Sequence, residues 1–244
     1  MNTSHTSPPP TTPSPSPSKS KKKDLGVFPH AELPAHVAAV IEAIETDIIR
    51  GIILPSTRLI EDHLMEDYDA KRHVVRAALV ELQRLGVVVK PPHIGARIRR
   101  FDAQSLQALY HFRAVLHRAA VEAMPLPVAA ERLQLVREAA AAHAQAAESG
   151  DLIAIHRANM VFHRLFFGLC DNPYIEESIR LHDWLSFPAR AYAITDQAAL
   201  SRACEEHAQM VEAIASSDRE RLAELALGHM LPARQIYEGR YLSR

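Results

Sequence analysis

The stretch KRHVVRAALVELQRLGVVVKPPHIGARIRR, residues 71–100, decides the fold of the N-terminal part of this chain. Its first half has apolar residues at steps of three and four, which predicts a helix over about 71–85 that ends at Gly86. A β-branched run at 87–89, a turn PPHIG at 91–95 and a second extended run at 96–99 predict a β-hairpin. A basic helix followed by a hairpin is the arrangement of a recognition helix and its wing.

The residues before this stretch supply the remaining helices of the motif. Apolar residues at helical spacing predict a helix over about 34–50, which Gly51 ends, and a shorter helix over about 59–67. A polar turn, DYDA, then leads into the third helix. Two helices joined by a turn and followed by a hairpin predict a winged helix-turn-helix, with Val75, Ala78, Leu79 and Leu82 of the third helix facing inward.

The rest of the chain has helical periodicity and no strand signal. The predicted helices cover about 103–123, 127–149, 151–170, 173–186, 189–195, 198–216 and 218–240. The fold class is therefore mostly α: an N-terminal winged helix-turn-helix over 30–101 and a C-terminal all-α antiparallel bundle over 102–244. Residues 1–29 hold seven of the sixteen prolines and are predicted to form a disordered tail.

Composition excludes several classes of protein. Two cysteines are too few for a disulfide framework, and no apolar run is long enough to span a membrane, so we expect a cytoplasmic protein with no membrane partner. The net charge of −1 excludes a uniformly basic nucleic-acid binder. The charge is unevenly placed, however, because residues 71–100 carry eight bases and one acid, whereas residues 32–69 carry nine acids and two bases. One face of the predicted domain is thus suited to an anion.

The third helix carries the candidate DNA contacts. Arg72 and Arg76 are four residues apart, share one face, and can reach guanine edges or phosphates in the major groove. Gly95 allows the wing to pass close to DNA, and the arginines at 97, 99 and 100 are expected to meet phosphates. The alternative is an ordinary solvated basic face.

The sequence of this region resembles that of the GntR regulators, and several short stretches match the family's pattern. They include IIRG at 48–51, LP at 54–55, RL at 58–59, VRAAL at 75–79 and LGV at 85–87. Ser56 stands where the family has a turn glycine, and YDAK at 68–71 replaces its usual Gly-Val-Ser stretch. The resemblance implies DNA contacts at Arg72, Arg76 and Gly95. The predicted DNA-binding residues also include Arg58, Lys71 and, at the tip of the wing, His93.

Three histidines on separate predicted helices are the notable feature of the C-terminal half. His163 lies four residues after Asn159, His207 lies near the start of a later helix, and His229 lies in the last one. Three helices of a bundle can each direct one imidazole into a shared centre, where imidazoles and an oxygen ligand suit Zn²⁺ or Ni²⁺. Each histidine alone could equally be a core or surface residue. His156 is expected to be exposed, and Trp184 and Tyr192 to belong to the core.

These histidines also carry a second resemblance. NMVFH at 159–163, DNP at 171–173, EH at 206–207 and HML at 229–231 look like the FCD effector domain of the FadR-like branch. The resemblance implies a divalent metal held by His163, His207 and His229, with Asn159 in place of the usual Asp. It also implies a small carboxylate effector, bound by Arg113 with Tyr110 and His117 on the same helix face, or else an outward Arg113 with no such role.

Three classes of function follow from these residues. The first is a ligand-responsive transcriptional regulator, expected to be a repressor and a homodimer on a pseudo-palindromic double-stranded operator, and not an enzyme. The second is a metal-dependent enzyme using the three-histidine site, although the chain has no His-Glu-x-x-His motif. The third is a module whose basic helix and wing bind a partner protein.

Overall fold

The computed structural model describes residues 33–242, so the predicted tail over 1–29 lies outside the described residues. The fold is mostly helical, with a small two-stranded sheet, as the sequence predicts. In chain order the elements are α1 (Ala35–Ile49), α2 (Glu61–Asp67), α3 (Arg72–Arg84), β1 (Val88–Val89), β2 (Arg97–Ile98), α4 (Ala103–Ala123), α5 (Ala130–Ser149), α6 (Leu152–Gly168), α7 (Pro173–Arg190), a 3₁₀ turn (Ala191–Ala193), α8 (Gln197–Ala215), α9 (Arg219–Gly228) and α10 (Leu231–Tyr241). None of these helices is long and apolar enough to cross a bilayer.

The first three helices and the hairpin form the winged helix-turn-helix. The predicted inward stripe of α3 is buried, and it packs on the apolar face of α1. The hairpin pairs Val88 with Ile98 and Val89 with Arg97 in antiparallel register. Arg58 adds a bridge to Arg97 on the other side of β2, which the sequence did not predict because a one-residue strand has no periodicity.

The bundle is built from α4 to α10. Helix α5 packs against α6 and α8, and α4 packs against α7 and α9. Short acidic or amide side chains begin many of these helices by accepting hydrogen bonds from free backbone N–H groups. Asp102, Asp151, Asn172, Asp196 and Asp218 act in this way.

Two helix boundaries differ from the prediction. Residues 173–190 form one helix that passes through Pro188, where two segments were expected; Pro188 lies within the last turn and is buried with Trp184 and Phe187. The predicted helix over 218–240 is instead two helices that meet at His229. Pro232 explains the break, because a proline cannot donate the i→i−4 hydrogen bond to Gly228 and its ring obstructs that turn.

One apolar cluster joins the DNA-binding domain to the bundle. Ile41, Ile44 and Ile48 of α1 belong to the same buried cluster as Met160, Trp184 and Phe187 of the bundle. We call this cluster the inter-domain core. It also corrects the expectation for His156, which is 2% exposed and packs beside Trp184 and Phe187. The period of α6 alone could not reveal that its outer face is covered.

Candidate functional site

The basic surface of α3 and the wing forms a groove. This groove has a volume of about 520 Å³, and residues of both α3 and the wing hairpin line it. Its basic lining residues are Arg58, Arg72, Arg76 and Lys90, and Gly95 lies among them. Gly95 has a φ of +84°, and a Cβ there would lie 3.5 Å from the Arg58 side chain, so the wing passes directly over that arginine.

The remaining predicted DNA contacts lie beside this groove. Lys71 is exposed and borders a neighbouring groove between α1 and α3. His93 is exposed at the wing tip with a φ of 62°. Arg99, which was expected to meet phosphate, instead turns inward and donates a hydrogen bond to the carbonyl of Gly86.

Two acidic side chains of α2 form ion pairs with the arginines of α3. Arg72 pairs with Asp62 at 2.5 Å, and Arg76 pairs with Glu61 at 2.8 Å. A second, longer contact of 3.4 Å joins Arg72 to Glu61. All four side chains are accessible to solvent, so these ion pairs contribute little to stability. They hold both guanidinium groups on the face that would meet DNA.

The three predicted histidines converge in the bundle. The Nε2 atom of His229 lies 3.2 Å from Nε2 of His207 and 3.3 Å from Nε2 of His163. His163 comes from α6, His207 from α8, and His229 from the joint between α9 and α10. Burial lowers the pKa of His163 and of His207 well below the ordinary value, so both rings are neutral. Neutral imidazole is the form that binds a metal ion.

The carboxylate of Glu206 orients the ring of His229 from the side opposite the histidine centre. The Oε2 atom of Glu206 lies 2.8 Å from Nδ1 of His229, while Arg202 donates to the other carboxylate oxygen at 2.7 Å. An imidazole that donates from Nδ1 keeps its Nε2 lone pair free for the centre. The sequence places Glu206 next to His207, whereas in the structure its carboxylate contacts the ring of His229.

The three nitrogens fit a divalent transition metal. Zn–N bonds of about 2.0–2.1 Å at tetrahedral angles separate two ligand nitrogens by about 3.3 Å. The distances from Nε2 of His229 to the other two histidines match this value, and the three donor atoms all lie within 4.8 Å of one another. Within residues 33–242, this is the group of His, Cys, Asp or Glu side chains whose donor atoms lie close enough to hold an ion. His163, His207 and His229 could therefore hold such a metal, which would supply a Lewis-acidic position for an anionic oxygen.

A cavity of about 90 Å³ opens beside the histidines. Asn159, His163 and His229 line it, so the predicted Asn159 lies at the same cavity as two of the three histidines. Glu206, Arg190 and His143 also line it, and sequence reasoning missed the last two. Burial lowers the pKa of His143 to about 4, and its ring lies 4.8 Å from that of His207. Only the long-range packing of α5 and α7 brings these residues here, and no local pattern could have revealed it.

The three residues predicted to bind an effector lie deeper in the bundle. Arg113 is buried, its guanidinium pairs with Asp183 at 2.7 Å, and it lies over the ring of Tyr110. His117 is 2% exposed, and its pKa is lowered to about 3 by burial and by Arg113. None of the three is among the residues lining the histidine cavity.

Known proteins match both parts of the chain. Residues 36–98 match the family model "Bacterial regulatory proteins, gntR family", and residues 108–231 match the model "FCD domain". A curated relative, the "Probable D-xylose utilization operon transcriptional repressor" of Paenarthrobacter nicotinovorans, is 30% identical over 167 residues, which is 65% of this chain and 69% of the relative.

Solved structures show the same fold. E. coli McbR/YncC is similar with a TM-score of 0.68 and 20% identity, covering 86% of this chain and 100% of that one. A GntR-type transcriptional regulator from Rhodococcus sp. RHA1 is similar with a TM-score of 0.66 and 22% identity, covering 85% and 100%.

The comparisons decide between the classes of function. They identify transcriptional regulators and give no support to a metal-dependent enzyme. The chain therefore belongs to the GntR family of bacterial regulatory proteins, as a DNA-binding transcriptional regulator whose C-terminal part is an FCD domain.

Proposed function

We propose that this regulator is a repressor that binds a pseudo-palindromic operator as a homodimer and releases it when a small carboxylate enters the three-histidine cavity. The observation that carries the proposal is the convergence of three imidazoles beside a cavity, with Nε2 of His229 lying 3.2 Å from that of His207 and 3.3 Å from that of His163. Such a centre suits Zn²⁺ or Ni²⁺, and an organic acid would bind at the position that the protein leaves open.

The presence of asparagine favours an anionic effector. Where the family has an acidic ligand, Asn159 contributes no charge, so a bound divalent ion would keep more of its positive charge. A carboxylate from solution would then supply the missing anionic oxygen.

An apolar face of the bundle supports the homodimer. On α4, Phe112 and Val115 are 43% and 52% exposed, and Ala108 and Ala119 continue the same face at helical spacing. Leu181 of α7, a helix that packs against α4, is also 36% exposed. A continuous exposed apolar patch marks an interface, and a two-fold copy would match the symmetry of the operator.

Repression follows from the proposed coupling and agrees with the name of the curated relative, a probable transcriptional repressor. If the carboxylate binds better to the conformation that has low affinity for DNA, it shifts the population towards that conformation.

A mobility-shift assay on the promoter of the regulator's own operon tests the function. The wild type should retard this DNA specifically and in a salt-sensitive manner. Arg72→Ala with Arg76→Ala should weaken binding by about thirtyfold or more, because each contact contributes on the order of 1–3 kcal/mol. Arg84→Ala, which removes a charge paired with Glu81 at the far end of α3, is the matched control. Unchanged binding in the double variant would contradict the proposal.

Metal analysis tests the cavity. Protein purified without chelator should contain up to one transition-metal ion per chain. The triple variant His163→Ala, His207→Ala, His229→Ala should contain none. Equal metal content in this variant would exclude the proposed centre.

A further inference from the structure

One tyrosine ties the turn between α2 and α3 to α1. Tyr68 directly follows α2, and its hydroxyl donates a hydrogen bond of 2.7 Å to the Oδ2 atom of Asp47 on α1. Both side chains are half-buried. Burial and the bond to Asp47 raise the pKa of the Tyr68 phenol above its usual range, so the hydroxyl stays protonated and able to donate. Hydrogen bonds to a carboxylate are shorter and stronger than those between neutral groups.

Asp47 lies in a part of α1 that is itself well held. Its backbone carbonyl accepts hydrogen bonds from the N–H groups of Ile52 and Ile53, at 2.8 and 3.1 Å. These bonds close the turn that follows α1. The carboxylate of Asp47 is therefore a fixed point, to which Tyr68 attaches the next turn of the chain.

The start of α3 depends on such a directional contact. The buried stripe of α3 packs on α1 through apolar contacts, which are not directional. Lys71, the N-cap of α3, makes no capping hydrogen bond with its side chain, and Asp69 in the turn has a φ of 45°. A hydrogen bond constrains direction as well as distance. The bond from Tyr68 to Asp47 supplies this constraint three residues before the N-cap.

The same end of α3 carries the arginines of the DNA-binding groove. Arg72 is the first residue of the helix, four residues after Tyr68, and Arg76 follows one turn later. Both line the groove. A bidentate contact with a base edge tolerates little displacement of the guanidinium group. The orientation of the first turn of α3 thus decides how well these arginines can meet the bases.

We propose that Tyr68 is a positioning residue for operator recognition and that it acts through Asp47, by fixing the first turn of α3 against α1. The inference rests on the proposed function and adds to it a residue that sets sequence discrimination from the side of the helix away from the bases. Without the hydroxyl, Arg72 and Arg76 would still attract phosphates but would align less well with base edges. Affinity for the operator should fall, while affinity for unrelated DNA should hold.

The ratio of two affinities measures this effect. Full-length protein is titrated, with fluorescence anisotropy, against labelled operator and against a scrambled duplex of the same length and composition. Tyr68→Phe should lower the ratio on the order of tenfold, roughly what one good base contact supplies. Asp47→Ala should lower it equally, and the double variant should lower it no further, because each change removes the same bond. Tyr174→Phe, which removes the hydroxyl of an 84% exposed tyrosine in the bundle, is the matched control.

A conservative variant separates positioning from charge. Asp47→Asn removes the negative charge but keeps an oxygen that can accept from Tyr68, so it should retain most of the discrimination that Asp47→Ala loses. If Asp47→Asn and Asp47→Ala lose the same discrimination, the hydrogen bond is not responsible.

Two further results would overturn the proposal. One is an unchanged ratio in Tyr68→Phe. The other is a loss in Tyr68→Phe with none in Asp47→Ala, which would mean that Tyr68 acts on DNA by itself. If Tyr68→Phe does not fold, an unchanged ratio in Asp47→Ala counts equally against the proposal.

Hydrogen exchange separates this inference from the proposed function. The N–H groups of Val74 and Val75 bond to the carbonyl of Lys71 at 2.9 and 3.1 Å and close the first turn of α3. In the DNA-free protein these two amides should exchange several-fold faster in Tyr68→Phe than in the wild type, relative to the amide of Leu82 later in the helix. Equal protection would contradict the role of Tyr68. A wild type that binds operator and scrambled DNA equally would instead contradict the proposed function, and the exchange rates would still decide whether Tyr68 fixes this turn.

Discussion

Glu206 directly precedes His207 in the chain, yet its carboxylate lies 2.8 Å from Nδ1 of His229, a residue of a different helix. The two histidines meet through their Nε2 atoms at 3.2 Å, so Glu206 acts on the far side of the ring that faces the centre. This arrangement fixes both the tautomer and the orientation of His229. The effect of this arrangement can be measured as the affinity of the protein for Zn²⁺.

Glu206→Ala should lower the affinity for Zn²⁺ by about 10–100-fold, because His229 loses the acceptor that holds its ring in place. Competition with a chromophoric chelator measures this change. Glu205→Ala is the matched control, since Glu205 is the exposed neighbour and does not contact the histidines. Equal affinities in the two variants would contradict an orienting role for Glu206.

Asp62→Asn should strengthen operator binding by about two- to fivefold, because Arg72 must leave this carboxylate before it reaches DNA and exposed pairs are worth about 0.2–1 kcal/mol. Fluorescence anisotropy with labelled operator measures the change. Glu66→Gln on the same helix alters the net charge equally but does not pair with α3. A similar gain in Glu66→Gln would show that net charge alone is responsible.

Val115→Asp should convert the proposed homodimer into a monomer, because it places a charge at the centre of the apolar face of α4. Size-exclusion chromatography with light scattering gives the mass directly. Leu135→Asp, at a 50% exposed position on α5, makes the same chemical change elsewhere and should leave the mass unchanged. A dimeric Val115→Asp variant would rule out this face as the interface.

Gly86→Ala should destabilise the protein more than Gly51→Ala, by about 1–3 kcal/mol, the usual cost of overpacking. Both glycines have a φ between 70° and 80°, but a Cβ on Gly86 would overlap Leu185 of the bundle, whereas Gly51 has nothing within 4 Å. Urea unfolding of the two variants isolates the contribution of the contact between the domains. Equal losses of stability would mean that Leu185 simply moves aside.

Glu45 should make stability depend on pH. Its pKa is about 8 in the folded protein and 4.5 ordinarily, so between these values the folded state keeps a proton that the unfolded state has released. The free energy of unfolding should therefore fall as pH rises through this window, by up to about 1.4 kcal/mol per unit, relative to a variant that cannot titrate. Urea unfolding of the wild type and Glu45→Gln at about pH 5 and about pH 8 measures the difference.

The Glu45→Gln variant should gain stability over the wild type mainly at the higher pH. Glu66→Gln, at an exposed position of α2 that is not among the charges acting on Glu45, should follow the wild type. A constant difference between Glu45→Gln and the wild type at both pH values would show that the carboxyl group does not titrate in this range.

Sequence periodicity predicted the features that depend on one element and its immediate neighbours. The buried stripe of α3 with Val75 and Leu82 and the hairpin both follow from spacing within about ten residues. The convergence of His163, His207 and His229 was anticipated from the family resemblance, while spacing alone left each histidine open to an ordinary structural role.

The features that the sequence did not predict depend on contacts between distant parts of the chain. His156 was expected to be exposed and is buried, because α1 and α7 cover the outer face of α6. The partner of Arg113 is Asp183, on a helix three elements later. Arg190 and His143 border the cavity only through the way the helices cross. Crossing geometry leaves no mark on local periodicity, so these placements required the structure.

The hydroxyl oxygen of Tyr237, in the last helix, accepts a hydrogen bond from the backbone N–H of Phe101 at the end of the DNA-binding domain. The backbone N–H of Phe101 lies 3.0 Å from the Tyr237 oxygen, both residues are buried, and α4 starts two residues later. The last helix begins two residues after His229, so one short helix connects the histidine centre with the junction between the domains. The last helix of the molecule is therefore attached to residues more than a hundred positions earlier, and distance along the sequence does not indicate which parts of the two domains are connected.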